Sequence, residues 1–248
     1  MSLRILLNGA KGRMGQAIIA AAPEAEVEIT AALDQGDSAD SGAADFDVAV
    51  DFSLHAATAP LVASAAAKGK PVVIGTTGHT AEEREDILGY TSKIPIVWAG
   101  NYSVGVNLLF FLTRLVAERL DETFEPELVE MHHHSKQDAP SGTAERLIEM
   151  ILEGRGWERD AVRHGREGLT GARPERELGV HALRGGSVVG EHSVLFAGPG
   201  ERLELRHSAE DRKIFALGAL RAARWCQGKR PGLYRMEDVL GLVSRDPS

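Results

Sequence analysis

Leu3-Arg4-Ile5-Leu6-Leu7-Asn8-Gly9-Ala10-Lys11-Gly12-Arg13-Met14-Gly15 is the stretch whose reading decides the fold. An apolar run stops at a glycine turn, after which Met14, Ala17, Ile18 and Ala21 recur at helical spacing until Pro23. The pattern predicts strand, turn and helix. Glycines allow the tight turn and let backbone N–H groups approach a pyrophosphate at the positive end of the helix. The spacing is G-x-x-G-x-x-G, one residue longer in its first interval than the usual dinucleotide fingerprint. A second strand over residues 27–33 ends at Asp34, nineteen residues beyond Gly15, where a carboxylate would accept the hydroxyls of an adenosine ribose. A 2′-phosphate would want a cation there. Gln35 offers no charge, and only Lys11 and Arg13 could tolerate such a phosphate, so NADH is favoured over NADPH and use of both stays open.

Working outward, residues 35–44 have no period and read as a loop. Strands are expected over 47–53, 71–74 and 94–99, and an alanine-rich helix over 55–68. Thr80 with Glu83 makes a capping box for a further helix. Alternating strands and helices predict a parallel doubly wound sheet, with ligands beyond the carboxyl ends of its strands. Gly75, Thr76 and Thr77 sit at one such end, and Ala99, Gly100, Asn101 and Tyr102 at another. Either segment alone reads equally well as a loop that needs glycine. Converging with the Gly9 turn, they point to contacts with a nicotinamide and its ribose.

A helical period over 104–120 marks a crossover, and a strand over 127–131 delivers His132 near its end. A helix follows Pro140, with Ser141, Gly142 and Thr143 in its first turn. Residues 153–174 read as a glycine-rich charged loop, 179–183, 187–189, 193–196 and 201–207 as short strands, 212–227 as a last helix and 239–243 as a terminal segment. The expected fold is α/β: a Rossmann-type doubly wound parallel sheet from 1–103 and 213–248, and an α+β domain over 104–212 with a mixed or antiparallel sheet for substrate binding and oligomerisation. Exposed sheet faces and edges invite oligomerisation.

Hydrophobic residues make up 43% and charged residues 26%, and no apolar run is long enough to cross a membrane. The formal charge of −8 opposes nucleic acid, so an anionic ligand must be met by local positive sites. A single cysteine, Cys226, excludes an internal disulfide, and nothing at the start resembles a signal peptide, which together predict the cytoplasm.

The run from Glu130 to Ala144 admits three readings. His132 and His134 could share a metal from one face of a strand, but no Cys or carboxylate at ligand spacing completes the set, so no metal is expected. The histidines could be surface residues before a simple Ser cap, yet a cap does not need the cationic and titratable groups upstream of it. The third reading is a substrate site. There the helix N-terminus with Ser141, Gly142 and Thr143 binds a carboxylate, Lys136 adds positive charge, and His132 or Lys136 gives a proton to complement a hydride.

These residues resemble the H-H-x-x-K-x-D-A-P-S-G-T-A motif of the 4-hydroxy-tetrahydrodipicolinate reductase (dihydrodipicolinate reductase) family. Gly9 to Gly15, Asp51-Phe52-Ser53, Gly75 to Gly78, Asn101-Tyr102-Ser103, Arg184-Gly185-Gly186 and Gly190-Glu191-His192 are similar to that family's blocks in the same order, so the resemblance spans nearly the whole chain. It implies NAD(P)H-dependent reduction of hydroxy-tetrahydrodipicolinate to tetrahydrodipicolinate with loss of water, in the diaminopimelate route to lysine. It further implies a small dicarboxylate substrate and a homotetramer built through the second domain. Gly9, Ala10, Lys11, Gly12, Arg13, Met14, Asp34, Gly75, Thr76, Thr77, Ala99, Gly100, Asn101 and Tyr102 would contact the cofactor. His132 would be the acid/base, Lys136 a proton donor or charge clamp, and His133, Gly142 and Thr143 substrate contacts.

Three positions depart from the family pattern. Gln35 replaces the arginine often found after the ribose acid, Tyr102 brings a hydroxyl near the nicotinamide where phenylalanine is usual, and His134 and Ser135 fall in variable positions with no essential role. An aspartate dehydrogenase of similar build is disfavoured by His132-His133 with Lys136 and Ser141-Gly142-Thr143. A nucleotide-sensing protein without catalysis would be expected to have lost His132 or Lys136.

Overall fold

The computed structural model describes residues 2–37 and 45–243, so most of the loop expected over 35–44 lies outside the described residues. The chain divides into two compact units, Met1–Val104 with Arg212–Ser248, and Gly105–Asp211.

The first unit is built from β1 (Leu3–Asn8), α1 (Arg13–Ala21), β2 (Val27–Leu33), β3 (Val48–Asp51), α2 (His55–Ala67), β4 (Val72–Ile74), α3 (Ala81–Leu88) and β5 (Pro95–Trp98). Past the second unit, the chain adds α6 (Lys213–Cys226), β11 (Gly232–Tyr234) and α7 (Met236–Val239). Among the described residues the strands form one parallel sheet in the order β11-β5-β4-β3-β1-β2. Both faces are covered, as a parallel sheet requires. Ile5, Leu7, Val48, Val50, Val73 and Val97 pack on one side with α1 and α6. Leu6, Ala49, Val72, Ile74 and Ile96 pack on the other with α2 and α3. Each such aliphatic side chain contributes roughly 1.5–3 kcal/mol through burial.

From β1 the chain reaches β2 on one side and β3 on the other. The switch point therefore lies between the carboxyl ends of β1 and β3, where Asn8 and Asp51 are register partners. The capping box before α3 is present: Thr80 Oγ1 accepts from Glu83 N–H at 3.2 Å, and the Glu83 carboxylate accepts from Thr80 N–H at 2.8 Å.

The second unit contains nearly all of α4 (Val104–Arg119), then β6 (Glu125–His132), α5 (Gly142–Arg155), a 3₁₀ turn over Arg159–Ala161, β7 (Val162–His164), β8 (Leu178–Arg184), β9 (Gly190–Gly198) and β10 (Glu201–Ala209). Its sheet runs β10-β9-β6-β8-β7 and is mixed: β6 is parallel to β8 and antiparallel to β9. Leu128, Val180, Val194 and Phe196 from the sheet cluster with Leu147, Ile148 and Ile151 of α5 and Val106, Leu109 and Phe110 of α4. The two helices cross closely at Gly154, where a Cβ would lie 2.7 Å from that of Ala117. Arg155 then satisfies the chain after α4, donating to the carbonyls of Leu120, Asp121 and Phe124.

Several expectations need correction. Residues 153–174 are not all loop: α5 runs to Arg155, where Gly156 in the left-handed region (φ 63°) ends it, and Val162–His164 forms an edge strand. No strand covers 187–189; Gly186 (φ 53°) turns the chain there between β8 and β9. The terminal segment is preceded by the unexpected strand β11 and folds as helix α7 slightly earlier than 239.

Candidate active site

In the first unit, Gly9 has φ +84° and packs so closely that a Cβ would lie 2.2 Å from the Phe52 carbonyl oxygen. Gly15 does the same for the helix, since a Cβ there would meet the Gly9 carbonyl at 2.2 Å. The longer first interval thus retains the two roles that the fingerprint glycines fill, tight turn and close helix approach. Gly12 is the N-cap of α1 and supplies no side-chain acceptor, which leaves the helix's first N–H groups for an anion. Asp34 follows the end of β2. Its carboxylate accepts from the N–H groups of Gln35 (2.8 Å) and Lys11 (2.6 Å), and these bonds hold it below the usual carboxylate range.

A cavity of about 860 Å³ opens beside Gly9, Gly12 and Asp34 and is walled by Phe52, Leu54 and Leu61. A lining that mixes polar groups with apolar side chains suits the adenosine half of a dinucleotide. Lys11 and Arg13 are exposed, Ala10 is buried and Met14 packs against the apolar cluster.

The loops after β4 and β5 adjoin, with a Cβ on Gly100 falling 4.0 Å from Thr77 Cγ2. Gly75 must lack a side chain because the Phe52 ring occupies that space, 2.2 Å from a Cβ. Thr77 and Gly100 are exposed, Ala99 and Asn101 half-buried, and Asn101 Oδ1 accepts from Ser103 N–H. Tyr102 corrects an expectation. Its side chain is buried beside Phe52, and its hydroxyl donates to the carbonyls of Ile74 (2.8 Å) and Val97 (3.1 Å), so it latches the sheet and offers no hydroxyl to a nicotinamide.

Asp51 and Phe52, absent from the expected site residues, organise this edge. Asp51 is wholly buried. Its Oδ1 accepts from Asn8 Nδ2 (2.8 Å) and Ser53 Oγ (2.6 Å), its Oδ2 from Thr58 Oγ1 (2.7 Å) and Thr76 Oγ1 (2.8 Å). Thr76 Oγ1, having given its proton, accepts from Ser53 N–H, and Thr58 Oγ1 lies 2.9 Å from His79 Nε2. One carboxylate thereby ties the ends of β1, β3 and β4 to α2. The available signal is a lone acid ending an apolar strand among serines and threonines.

In the second unit, β6 alternates so that Leu128, Glu130 and His132 share the buried face. Glu130 is fully buried, and its carboxylate receives four donors. Oε1 accepts from Arg184 Nη2 (2.8 Å) and Ser141 N–H (3.2 Å); Oε2 accepts from Arg184 Nη1 (2.9 Å) and lies 2.5 Å from His132 Nδ1. Arg184 Nη2 also donates to the Asp138 carbonyl, and Lys136 Nζ pairs with the Asp138 carboxylate at 2.9 Å.

Ser141 caps α5, accepting from Ala144 N–H, and its Oγ lies 3.0 Å from His192 Nε2. That hydroxyl is buried and bonded within the protein, whereas Gly142 is exposed with open space around its Cβ position. Thr143 and His133 are half-buried, and His134 is exposed with Nδ1 against the Gly186 carbonyl.

Burial pushes His132 below the ordinary imidazole range, opposed by Glu130 and reinforced by Lys136 and Arg184. Burial likewise raises Glu130, but the hydrogen bonds from Arg184 and His132 outweigh it and hold the carboxyl ionised. His192 is driven down to about 3 by burial and by its neighbour His132, whose ring meets it edge-on at 5.2 Å. Near neutral pH both rings are uncharged. Among the described residues no group of three or more His, Cys, Asp or Glu is placed to hold a metal ion, and no helix is long and apolar enough to cross a membrane.

Residues 3–102 match the family model described as dihydrodipicolinate reductase, N-terminus, and residues 105–240 match that of its C-terminus. The 4-hydroxy-tetrahydrodipicolinate reductase of Akkermansia muciniphila is 55% identical over 244 residues, covering 97% of this chain and 98% of that protein. That of Afipia carboxidovorans is 46% identical over 269 residues, covering 98% of each. Among solved structures, dipicolinate-bound dihydrodipicolinate reductase from Paenisporosarcina sp. TG-14 has a TM-score of 0.77 at 25% identity, covering 96% of this chain and 99% of that one. An amine dehydrogenase from Mycobacterium smegmatis, at 9% identity and a TM-score of 0.57, shares the fold alone.

Proposed function

The chain belongs to the dihydrodipicolinate reductase family, and from that premise we propose which of its side chains reduce 4-hydroxy-tetrahydrodipicolinate to tetrahydrodipicolinate in the route to lysine. The reaction takes up one hydride and one proton while water leaves. A reduced nicotinamide dinucleotide supplies the hydride when bound.

In the first unit, the Gly9 turn, the open N-terminus of α1 and the loops of Gly75–Thr77 and Ala99–Asn101 hold that cofactor. Asp34, kept ionised by its two backbone N–H partners, meets the ribose hydroxyls and repels a 2′-phosphate. NADH is therefore the favoured cofactor, and Lys11 and Arg13 leave room for NADPH. No metal takes part.

In the second unit, Gly142 and Thr143 at the start of α5 and the ammonium of Lys136 bind the substrate's carboxylates, with His133 alongside. His132 carries the proton. The observation that carries this reading is the placing of a buried, oriented imidazole on β6 in the same structural web as the exposed start of α5. A ring that is neutral at rest must take up a proton before giving one, so a doubly negative substrate raises its readiness on binding. We further place the enzyme in the cytoplasm as a homotetramer assembled through the second unit, whose β10 is an edge strand with Leu203 partly exposed.

Oxidation of NADH and NADPH, followed with substrate made freshly by the upstream synthase, tests the whole reading. Turnover with NADH at least equal to that with NADPH is expected; oxidation of neither would overturn it. His132→Gln and Lys136→Ala should each lower kcat by about 10²–10⁴. Near-normal turnover in both would remove them from the chemistry.

A further inference from the structure

We infer that Glu130 is the positioning residue of His132: it fixes which ring nitrogen exchanges a proton, and through Ser141 and Arg184 it holds the start of α5 and the Lys136 loop in register with that nitrogen. This deepens the assignment of His132 as proton carrier and rests on it.

Glu130 stands in the row of β6 that faces the apolar cluster, between Leu128 and His132, and is wholly buried. Packing gives no reason for a carboxylate there, since a leucine fills the same row two residues earlier. A buried ion pair exchanged for apolar side chains is often neutral or stabilising, so the pair contributes little to stability for its own sake. What it supplies is direction.

A carboxylate that already accepts a bidentate guanidinium has only acceptor sites for the imidazole, so His132 Nδ1 must bear hydrogen. Nε2 is then the atom that gains and loses a proton. It points toward Gly190, where even a Cβ would lie 3.0 Å from it. Glu-x-His on a strand suits this pairing because residues two apart share a face.

Glu130 Oε1 accepts from the N–H of Ser141, the residue that caps α5. The same guanidinium that grips Glu130 grips the Asp138 carbonyl, and the Asp138 carboxylate holds Lys136. The proton carrier, the anion-binding helix start and the cationic loop therefore share one fixed point. The ionisable groups facing His132 are Glu130 on its own strand, Lys136 from the loop, Arg184 at the end of β8 and His192 on β9; α5 presents the neutral Ser141. Of these only Glu130 favours the charged ring.

The test uses the full-length enzyme with Glu130→Gln, Glu130→Asp, His132→Gln and the Glu130→Gln/His132→Gln pair. Measurements are kcat and KM against pH, together with ¹⁵N resonances of the imidazoles. Glu130→Gln should lower kcat by about 10²–10³ with a smaller change in KM. It should also move the limb due to His132 to lower pH by about 1–2 units, because a carboxylate that favours the imidazolium is gone. Glu130→Asp should restore part of the rate, and once His132 is already glutamine Glu130→Gln should lower kcat little further, its remaining cost falling on KM through the start of α5 and the Lys136 loop.

Losses in kcat that multiply in the double variant, an unmoved pH limb, or kcat within about twofold of the parent would each overturn the assignment. The unmutated enzyme offers a check free of any folding defect: its His132 should be the Nδ1–H tautomer, and an Nε2–H tautomer sinks the inference. Normal turnover by His132→Gln would instead remove the proton-carrier reading, while the tautomer still decides whether Glu130 sets the ring.

Discussion

Asp51 and Glu130 are both carboxylates buried beyond the reach of solvent, one at the end of β3 and one near the end of β6, and they are satisfied by opposite means. Asp51 accepts only from neutral groups: two threonines, a serine and an asparagine amide. Glu130 accepts from a guanidinium, an imidazole and a backbone N–H. A carboxylate held by hydroxyl dipoles is a geometric anchor whose partners do not titrate near neutral pH. A carboxylate held by Arg and His is an anchor whose grip depends on protonation. The first kind suits loops that cradle a cofactor, and the second suits a group that handles protons.

The largest effect should come from breaking the ionic anchor on its cationic side. Arg184→Met leaves Glu130 buried without its guanidinium and should lose about 3 kcal/mol in urea unfolding at pH 7, a figure reduced because Arg184 is itself partly exposed. A loss below about 1 kcal/mol would show that Glu130 does not depend on the ion pair. Asp51→Asn attacks the neutral anchor by turning acceptor lone pairs into donors that face other donors. It should lose about 1–3 kcal/mol and weaken binding of the nicotinamide dinucleotide, measured by calorimetry, with little change in the pH profile of kcat. If that profile moved as it does for Glu130→Gln, the distinction between the two anchors would fail.

The smallest effect concerns His192, which adjoins the ionic anchor through Ser141. Its folded value of about 3 lies far below the ordinary imidazole value of 6.5, so the stability it contributes is complete above about pH 6.5 and is lost as pH falls toward 3. Below 6.5 the unfolded chain binds a proton that the folded chain does not. His192→Gln, which keeps a polar partner for Ser141, should remove about 1 kcal/mol of the stability difference between pH 7.5 and pH 5.5 in paired urea titrations. An unchanged difference would mean that His192 takes up its proton in the folded enzyme as readily as in the unfolded chain.

How much of this could be read beforehand depends on what each residue answers to. The strands of the first sheet from β1 to β5, and β6, β8, β9 and β10 of the second, lie where periodic apolar runs placed them, because each is long enough or buried enough to show its period. β7 and β11 escaped because each has three residues at a sheet edge, and three residues show no alternation. Val188 and Val189 misled in the other direction: two β-branched residues suggested a strand, but Gly186 had already turned the chain.

At the site, the glycine turn and the helix start after Pro140 announce themselves through local backbone needs. Asp51 and Glu130 do not, since a buried acid looks like any acid until the fold surrounds it. Glu130 left one trace, its place two residues before a histidine on an alternating strand. Tyr102 and Ser141 show the converse, polar side chains whose chemistry suggested a ligand but whose hydroxyls are consumed by carbonyls, an imidazole and a helix cap.

Gly190 bears on how freely this chain can vary. It has no side chain to bond or to titrate, yet a Cβ added there would lie 3.0 Å from His132 Nε2. Every substitution available to it adds at least a methyl group against that nitrogen. Variation at this position is therefore confined by a residue 58 positions away in the chain, and drift in the sequence of β9 has a fixed point that β6 sets.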